Sequence, residues 1–228
     1  MAPTDTVALF FEDRATASAR LFDALGMTYQ DLYCRLPAQL DALDWLLARL
    51  PAGAAVLDIG SGTGQPTAAR LTAAGHRVTG IDVSRTMVDL ARAQVPAARF
   101  EVADVCAVPD TPGVWDAITA FFPLLQLSRA DQVMVLGRIA SWLAPGGLFA
   151  FATVPFDAED TELTWLGRRV RVTSFPSAAF ARLLRAAGLV VLHEQESVFR
   201  PDFPGADPEE HLFLYAAKPG GRRSRGGG

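Results

Sequence analysis

Apolar positions change their period part-way along the chain. In "YQDLYCRLPAQLDALDWLLARL", residues 29–50, Leu32, Leu36, Leu40, Leu43, Leu46, Leu47 and Leu50 recur at the spacing of one helix face. Pro37 interrupts that run and should kink or break it. Residues 7–27 also read as helix, so the expectation is two helices, 7–27 and 29–49, closed by Pro51-Ala52-Gly53. Beyond them, short apolar runs take over. Strands are expected at "AAVLDIG", "HRVTGIDV", "ARFEVADV", "VWDAITAFFP" and "GLFAFATV". Most are separated by helices. "QPTAARLTAAG" has Pro66 near its start and Gly75 at its end, and "SRTMVDLARAQV" has Ser84 as N-cap. "RADQVMVLGRIASWLAP" is closed by Pro145-Gly146-Gly147. Strands alternating with helices build parallel sheets. The near-continuous apolar run "LFAFATV" suits a sheet covered on both faces.

The last third follows another pattern. "TELTWLGRRVRVTSFP" contains a short strand pair, and "SAAFARLLRAAG" is a helix ended by Gly188. "LVVLHEQESV" and "HLFLYAAK" are strands joined by the proline-rich loop "FRPDFPGADPEE", with no helix between them, and should run antiparallel. The expected fold class is therefore α/β, with a sheet parallel through five strands and mixed at its end. No internal repeat is visible.

Composition narrows the picture modestly. With 228 residues, half of them apolar, the chain can bury a sizeable core in one large domain or two small ones. A net charge of −4 gives no support to a nucleic-acid partner. Cys34 and Cys106 stand far apart and in no CxxC pattern, which reads as reduced thiols in a cytoplasmic protein. No apolar run reaches the roughly 18 residues of a membrane span. "MAPTDTVALFFEDR" carries acids and no basic stretch, so it is not read as a secretory signal. The glycine- and arginine-rich "GGRRSRGGG" is expected to be a disordered tail.

The chemistry concentrates in "VLDIGSGTGQPT", residues 56–67, where a strand runs into Gly60, Gly62 and Gly64 and then into a helix start. Glycines there let a ligand approach the backbone, and the helix N-terminus offers free N–H groups. A triphosphate loop needs Lys-Ser/Thr after its last glycine, but Gln65-Pro66 follows here. A dinucleotide loop reads G-x-G-x-x-G, while this one is G-x-G-x-G, and Asp58 would repel a pyrophosphate. A purely structural turn is the remaining plain alternative. A cationic ligand without phosphate, such as S-adenosylmethionine, satisfies both the glycines and the acid.

Taken in order over about residues 40–218, "VLDIGSGTG", "VTGIDVS", "FEVADV" and "WLAPGGLFAF" resemble the class I S-adenosylmethionine-dependent methyltransferases of small-molecule type. The resemblance implies a Rossmann-like three-layer sandwich with a seven-stranded, mostly parallel sheet and an antiparallel last strand. It divides the chain into an N-terminal helical lid (1–50), a cofactor-binding domain (51–218) and the tail (219–228). The implied cofactor is S-adenosyl-L-methionine, leaving as S-adenosyl-L-homocysteine. Its implied site comprises Asp58, Gly60, Ser61 and Gly62, Asp82 on the ribose, Val83 and Met87 on the adenine, Asp104 and Val105 at the adenine amino group, and Phe121 by the methionine part. Asp104 alternatively serves as a turn-forming residue.

Methyl transfer from a sulfonium needs alignment, exclusion of water and, for some acceptors, a base. His211, at the opening of the last strand, is the candidate base, with His193 second; His76 is expected on the opposite rim, at the surface. Tyr29 and Tyr33, one helical turn apart, are candidates to present phenols from the lid, ordinary packing being the alternative. Phe122, Gln126, Phe156 and Trp165 are expected to line an apolar, aromatic substrate pocket. Where the resemblance places a histidine in many members, Gln126 can only position. Phe121-Phe122-Pro123-Leu124 lacks the amide of the enzymes that methylate base amino groups. Glu159, Asp160 and Glu162 read as a solvated loop, and no metal is expected. The expected function is methyl transfer to oxygen, nitrogen or carbon of a small, apolar or aromatic acceptor in secondary metabolism. The expected protein is a monomer or homodimer with no nucleic-acid or membrane partner. Two alternatives stand beside it. One is a rearrangement promoted by the bound sulfonium charge, and the other is a non-catalytic partner subunit.

Overall fold

The computed structural model describes residues 13–220. Residues 7–12 of the first expected helix and 221–228 of the expected tail lie outside them. Three helices come first: α1 (Arg14–Leu25), α2 (Met27–Tyr33) and α3 (Pro37–Leu47). The expected single helix over 29–49 is thus two. Pro37 lacks an N–H and takes the first turn of α3, where that donor would have no partner anyway.

The sheet strands are β1 (Ala55–Ile59), β2 (Arg77–Asp82), β3 (Arg99–Val102), β4 (Trp115–Phe121) and β5 (Leu143–Thr153). Between them run α4 (Thr67–Ala73), α5 (Arg85–Gln94) and α6 (Arg129–Trp142). A separate hairpin follows, β6 (Ala158–Trp165) and β7 (Arg168–Ser174), then α7 (Ser177–Ala186), β8 (Val190–Phe199) and β9 (Glu209–Ala217). The seven-stranded sheet has the order β3-β2-β1-β4-β5-β9-β8. Its first five strands pair in parallel, and β9 inserts antiparallel between β5 and β8.

Side-chain alternation sorts the core into two layers. Leu57, Ile59, Ile118, Phe149, Phe151, Leu212 and Leu214 face α6 and α7, where they meet Ile139, Phe180 and Leu184. Val56, Ala117, Ala150, Phe213 and Tyr215 face α3, α4 and α5, against Leu43, Leu46, Leu71 and Val88. This is a three-layer α/β sandwich, as expected. Strand order reverses between β1 and β4, so the fold opens a crevice beyond the carboxyl ends of those strands.

Two details differ from expectation. Helix α6 stops at Trp142, ahead of the proline and glycines, because Leu143 already turns extended and pairs with Trp115. Lys218, the sole lysine, caps that helix end by donating to the carbonyls of Ser141 and Leu143. The expected loop bearing Glu159, Asp160 and Glu162 is strand β6, and two of its acids pair with arginines: Asp160 with Arg14 and Arg171, Glu162 with Arg169.

Candidate active site

The crevice begins at the glycine turn. Gly60 and Gly62 adopt positive φ values of 67° and 49°. A Cβ on Gly60 would lie 2.4 Å from Pro123 Cβ, whereas one on Gly62 would meet nothing within 4 Å. The amides of Gly60 and Ser61 bond to the Ile81 carbonyl at 2.8 and 3.0 Å, tying the turn to β2. The Asp82 carboxylate accepts from Gly62 N at 2.9 Å and from Ser84 N at 2.9 Å, which fixes both oxygens toward the cleft mouth. Ser84 caps α5 by accepting from Met87 N. Gly60, Gly62, Asp82, Val83, Met87, Asp104, Val105 and Phe121 all line this cleft of about 90 Å³. Asp104 also accepts from Cys106 N at 2.8 Å, so it makes a turn and lines the cleft at once. Helix α1 roofs the cleft with Arg14, Ala15, Ser18 and Phe22, and Asp23 latches it by accepting from Ser84 Oγ and Thr86 N.

Asp58 sits beneath the turn rather than in the cleft lining. It is 2 % exposed, accepts from Thr119 Oγ1 at 2.6 Å, and its Oδ2 has no partner among the described residues. Burial pushes its carboxyl up to about 7, against the Thr119 hydrogen bond and with help from the charge of Asp82. Burial also raises Asp82, despite the amides that bond to it. Ser61 Oγ is likewise buried without a partner.

A second chamber of about 450 Å³ adjoins the cleft. Phe22, Tyr29, Phe122 and Gln126 line both cavities, so the two meet there. Its walls come from α2, the β6–β7 hairpin, and the loop from Phe203 to Pro208. Tyr33 contributes from α2, Trp165, Leu163, Val170 and Val172 from the hairpin, and Phe156 from the connection between β5 and β6. Phe122 holds a left-handed backbone (φ 67°) where β4 ends, and its ring lies 4.7 Å from that of His211.

In the chamber wall, Glu209 gathers three donors. Tyr33 Oη donates to Oε1 at 2.7 Å, Trp165 Nε1 donates to the same oxygen at 2.9 Å, and His211 Nε2 lies 3.0 Å from Oε2. Burial alone would raise the Glu209 carboxyl, but these donors outweigh it and hold it below its ordinary value. An ionised carboxylate only accepts, so the His211 proton resides on Nε2. Nδ1 of this 1 % exposed histidine is left with a lone pair and no partner among the described residues. The same arrangement raises the Tyr33 hydroxyl, first through burial and then through its bond to Glu209. Tyr29 is raised too, by burial and by the charges of Glu209 and Asp82, and its ring stacks 5.0 Å from Tyr33. Neither phenol is poised to ionise near neutrality.

Three comparisons with known proteins bear on this geometry. A family model described as "Methyltransferase domain" matches residues 56–147. They span β1 through the first part of β5, and so include the glycine turn, Asp82, Asp104 and Phe121. The chain is 40% identical over 110 residues to a trans-aconitate 2-methyltransferase of Paracidovorax citrulli, covering 46% of this chain and 41% of that protein. The chain spans about two fifths of the length of this and the next two curated relatives it matches. An O-methyltransferase of Penicillium expansum is 29% identical over 209 residues, covering 83% of this chain and 74% of that one. Among solved structures, the Burkholderia thailandensis 1,6-didemethyltoxoflavin-N1-methyltransferase, with bound 1,6-didemethyltoxoflavin and S-adenosylhomocysteine, superposes with a TM-score of 0.67 at 24% identity, over 96% of this chain and 93% of that one.

The acceptor-side residues lie mostly outside the matched residues 56–147. Of the expected site residues, the structure brings His211, Tyr29, Tyr33, Phe122, Gln126, Phe156 and Trp165 to one chamber. Asp58 and Ser61 stand apart, behind the turn and absent from the cleft lining. His193 is exposed on β8, its ring 5.2 Å from that of Tyr215, away from both cavities. His76, expected at the surface, is 8 % exposed, with its Nδ1 unpartnered. Burial lifts the Cys106 thiol to about 12, which makes it inert. The residue that sequence reasoning missed is Glu209. Its signal was its position two residues before His211, which puts both side chains on one face of a strand. Among the described residues, no group of three or more His, Cys, Asp or Glu could hold a metal, and no helix is long and apolar enough to cross a membrane.

Proposed function

We propose that the chain transfers a methyl group from S-adenosylmethionine to a small apolar or aromatic acceptor, with His211 taking the acceptor's proton. The observation that carries this reading is the junction at Phe22, Tyr29, Phe122 and Gln126, where the glycine-turn cleft meets an aromatic chamber and the His211 ring lies 4.7 Å from that of Phe122. The residues fit the cofactor. Asp82, fixed by two amides, can accept from ribose hydroxyls as well. Val83, half-buried at the cleft, can offer apolar surface to an adenine ring, with Met87 packed in the lining beside it. Asp58, raised to about 7 by burial beneath the turn, becomes negative as it deprotonates, a form that a cationic group nearby would favour. When bound, S-adenosylmethionine supplies an activated methyl carbon and leaves with its sulfur neutral. Gln126 and Phe122 stand at the junction to orient the acceptor, the aromatic walls exclude water, and Glu209 holds the imidazole with Nδ1 as acceptor.

One named relative, an O-methyltransferase, supports the reading. Titration calorimetry with S-adenosylhomocysteine tests it directly. Binding is expected in the wild type. Asp82→Ala should weaken it by on the order of 1–3 kcal/mol, the cost of unpaired hydroxyls. Equal formation of S-adenosylhomocysteine and methylated product separates transfer from a rearrangement. An unchanged affinity in Asp82→Ala would sink the cofactor assignment.

A further inference from the structure

The charge of the chamber wall bears on which acceptors it admits. We infer, resting on the methyl-transfer reading above, that the acceptor is a flat aromatic hydroxyl or ring N–H compound that enters uncharged or cationic, and that carboxylates are excluded. Among the described residues lining the chamber there is no Arg or Lys, while Asp207, Glu209 and Glu210 are there. A carboxylate reaching that wall would face the Glu209 anion with no arginine or lysine to offset its lost hydration. Flat rings find the opposite reception, because Phe22, Tyr29, Phe122, Phe156 and Trp165 present aromatic surface to the cavity. The volume, about 450 Å³, lies inside the roughly 300–1,000 Å³ of pockets that enclose compact organic molecules.

The proton acceptor points the same way. A carboxylate has already lost its proton at neutral pH and needs no base. A tertiary amine or a thioether has none to give. His211 has Nε2–H held by Glu209 and Nδ1 unpartnered but covered by the rings of Phe122, Phe199 and Phe213, so a shift of those rings must open Nδ1 to an acceptor that surrenders a proton. The acceptor O–H or N–H proton passes to Nδ1, and the electron pair of that bond's heteroatom forms the new bond to the methyl carbon. The carbon–sulfur bond breaks toward sulfur, leaving a neutral thioether, and the imidazolium beside Glu209 later yields its proton to solvent. Aconitate, named in one of the relatives, is a tricarboxylate and falls in the excluded class.

The test is a matched pair on one ring system, 2-naphthol and 2-naphthoate, titrated calorimetrically at pH 7 in the presence and absence of S-adenosylhomocysteine. 2-Naphthol should bind at least about tenfold more tightly than 2-naphthoate. Two variants should narrow or invert that ratio by improving naphthoate. Glu209→Gln removes the anion. Thr164→Lys adds a cation at an exposed wall position that tolerates replacement. Naphthoate binding as tightly as naphthol in the wild type, binding of neither, or a ratio unmoved by Thr164→Lys overturns the inference. S-adenosylhomocysteine binding alongside such a result sinks this inference alone. Its failure to bind sinks the methyl-transfer reading, while the naphthol-to-naphthoate ratio still reports on the chamber wall.

Discussion

Single residues carry the electrostatics of this site. Asp58 is buried with an unpartnered oxygen and a carboxyl raised to about 7 from an ordinary value of 3.8. The folded protein therefore binds a proton there that the unfolded chain has lost. Between those two values stability falls as pH rises, and above about 7 the full cost of the buried anion is present. Asp58→Asn should raise stability by on the order of 1–4 kcal/mol at pH 8, and the gain should shrink as pH falls toward 4. Urea unfolding at a series of pH values checks this. In the same variant S-adenosylhomocysteine, whose amino-acid end carries an ammonium, should bind more weakly. At the other end of the site, His211→Gln should lower kcat by roughly 10²–10⁴-fold, the usual worth of a general base. Glu209→Gln should lower kcat less and change its pH profile, because it alters the imidazole's partner and not the imidazole. An unaltered profile with an unchanged kcat would remove Glu209 from the mechanism.

At the scale of elements, helix α1 forms the roof of the glycine-turn cleft, and Asp23 is one of the side chains that latch it. Asp23 accepts from Ser84 Oγ at 2.6 Å and from Thr86 N at 3.0 Å, both at the start of α5. These bonds hold its own carboxyl below the usual range, the Ser84 hydroxyl contributing most. Asp23→Ala should release the roof and speed dissociation of S-adenosylhomocysteine several-fold in stopped-flow measurements. The equilibrium fold should stay intact, because Asp23 is exposed. The elements themselves were largely legible in the sequence. Period-3.6 patterns marked the helices, short near-continuous apolar runs marked the strands, and the glycine-acid turn marked the cleft. The acceptor chamber was legible only in part. Phe156 and Trp165 were readable as pocket residues, but the wall from Phe203 to Pro208 is a loop whose residues follow no period. The Glu209 network joins residues 33, 165, 209 and 211, a contact between segments far apart in the chain that no local pattern encodes.

For the molecule as a whole, the sheet separates stability from chemistry. Phe180 on α7 is fully buried against Phe151 and Phe175, on the face opposite α3, α4 and α5. Phe180→Ala should cost about 3–5 kcal/mol of unfolding free energy through lost burial and the cavity left behind. Its affinity for S-adenosylhomocysteine should stay within about twofold of the wild type, since sites more than about 7–10 Å apart without shared partners act nearly independently. A large loss of affinity would show that the two layers are coupled.

Phe22 and Tyr29 belong to both cavities at once. Whatever movement admits the nucleoside therefore also unseals the aromatic compartment, and traffic through the two cannot be fully independent. A single synthetic compound that tethers adenosine to a naphthyl ring should straddle that shared threshold and block both substrates together, with a potency neither half attains alone.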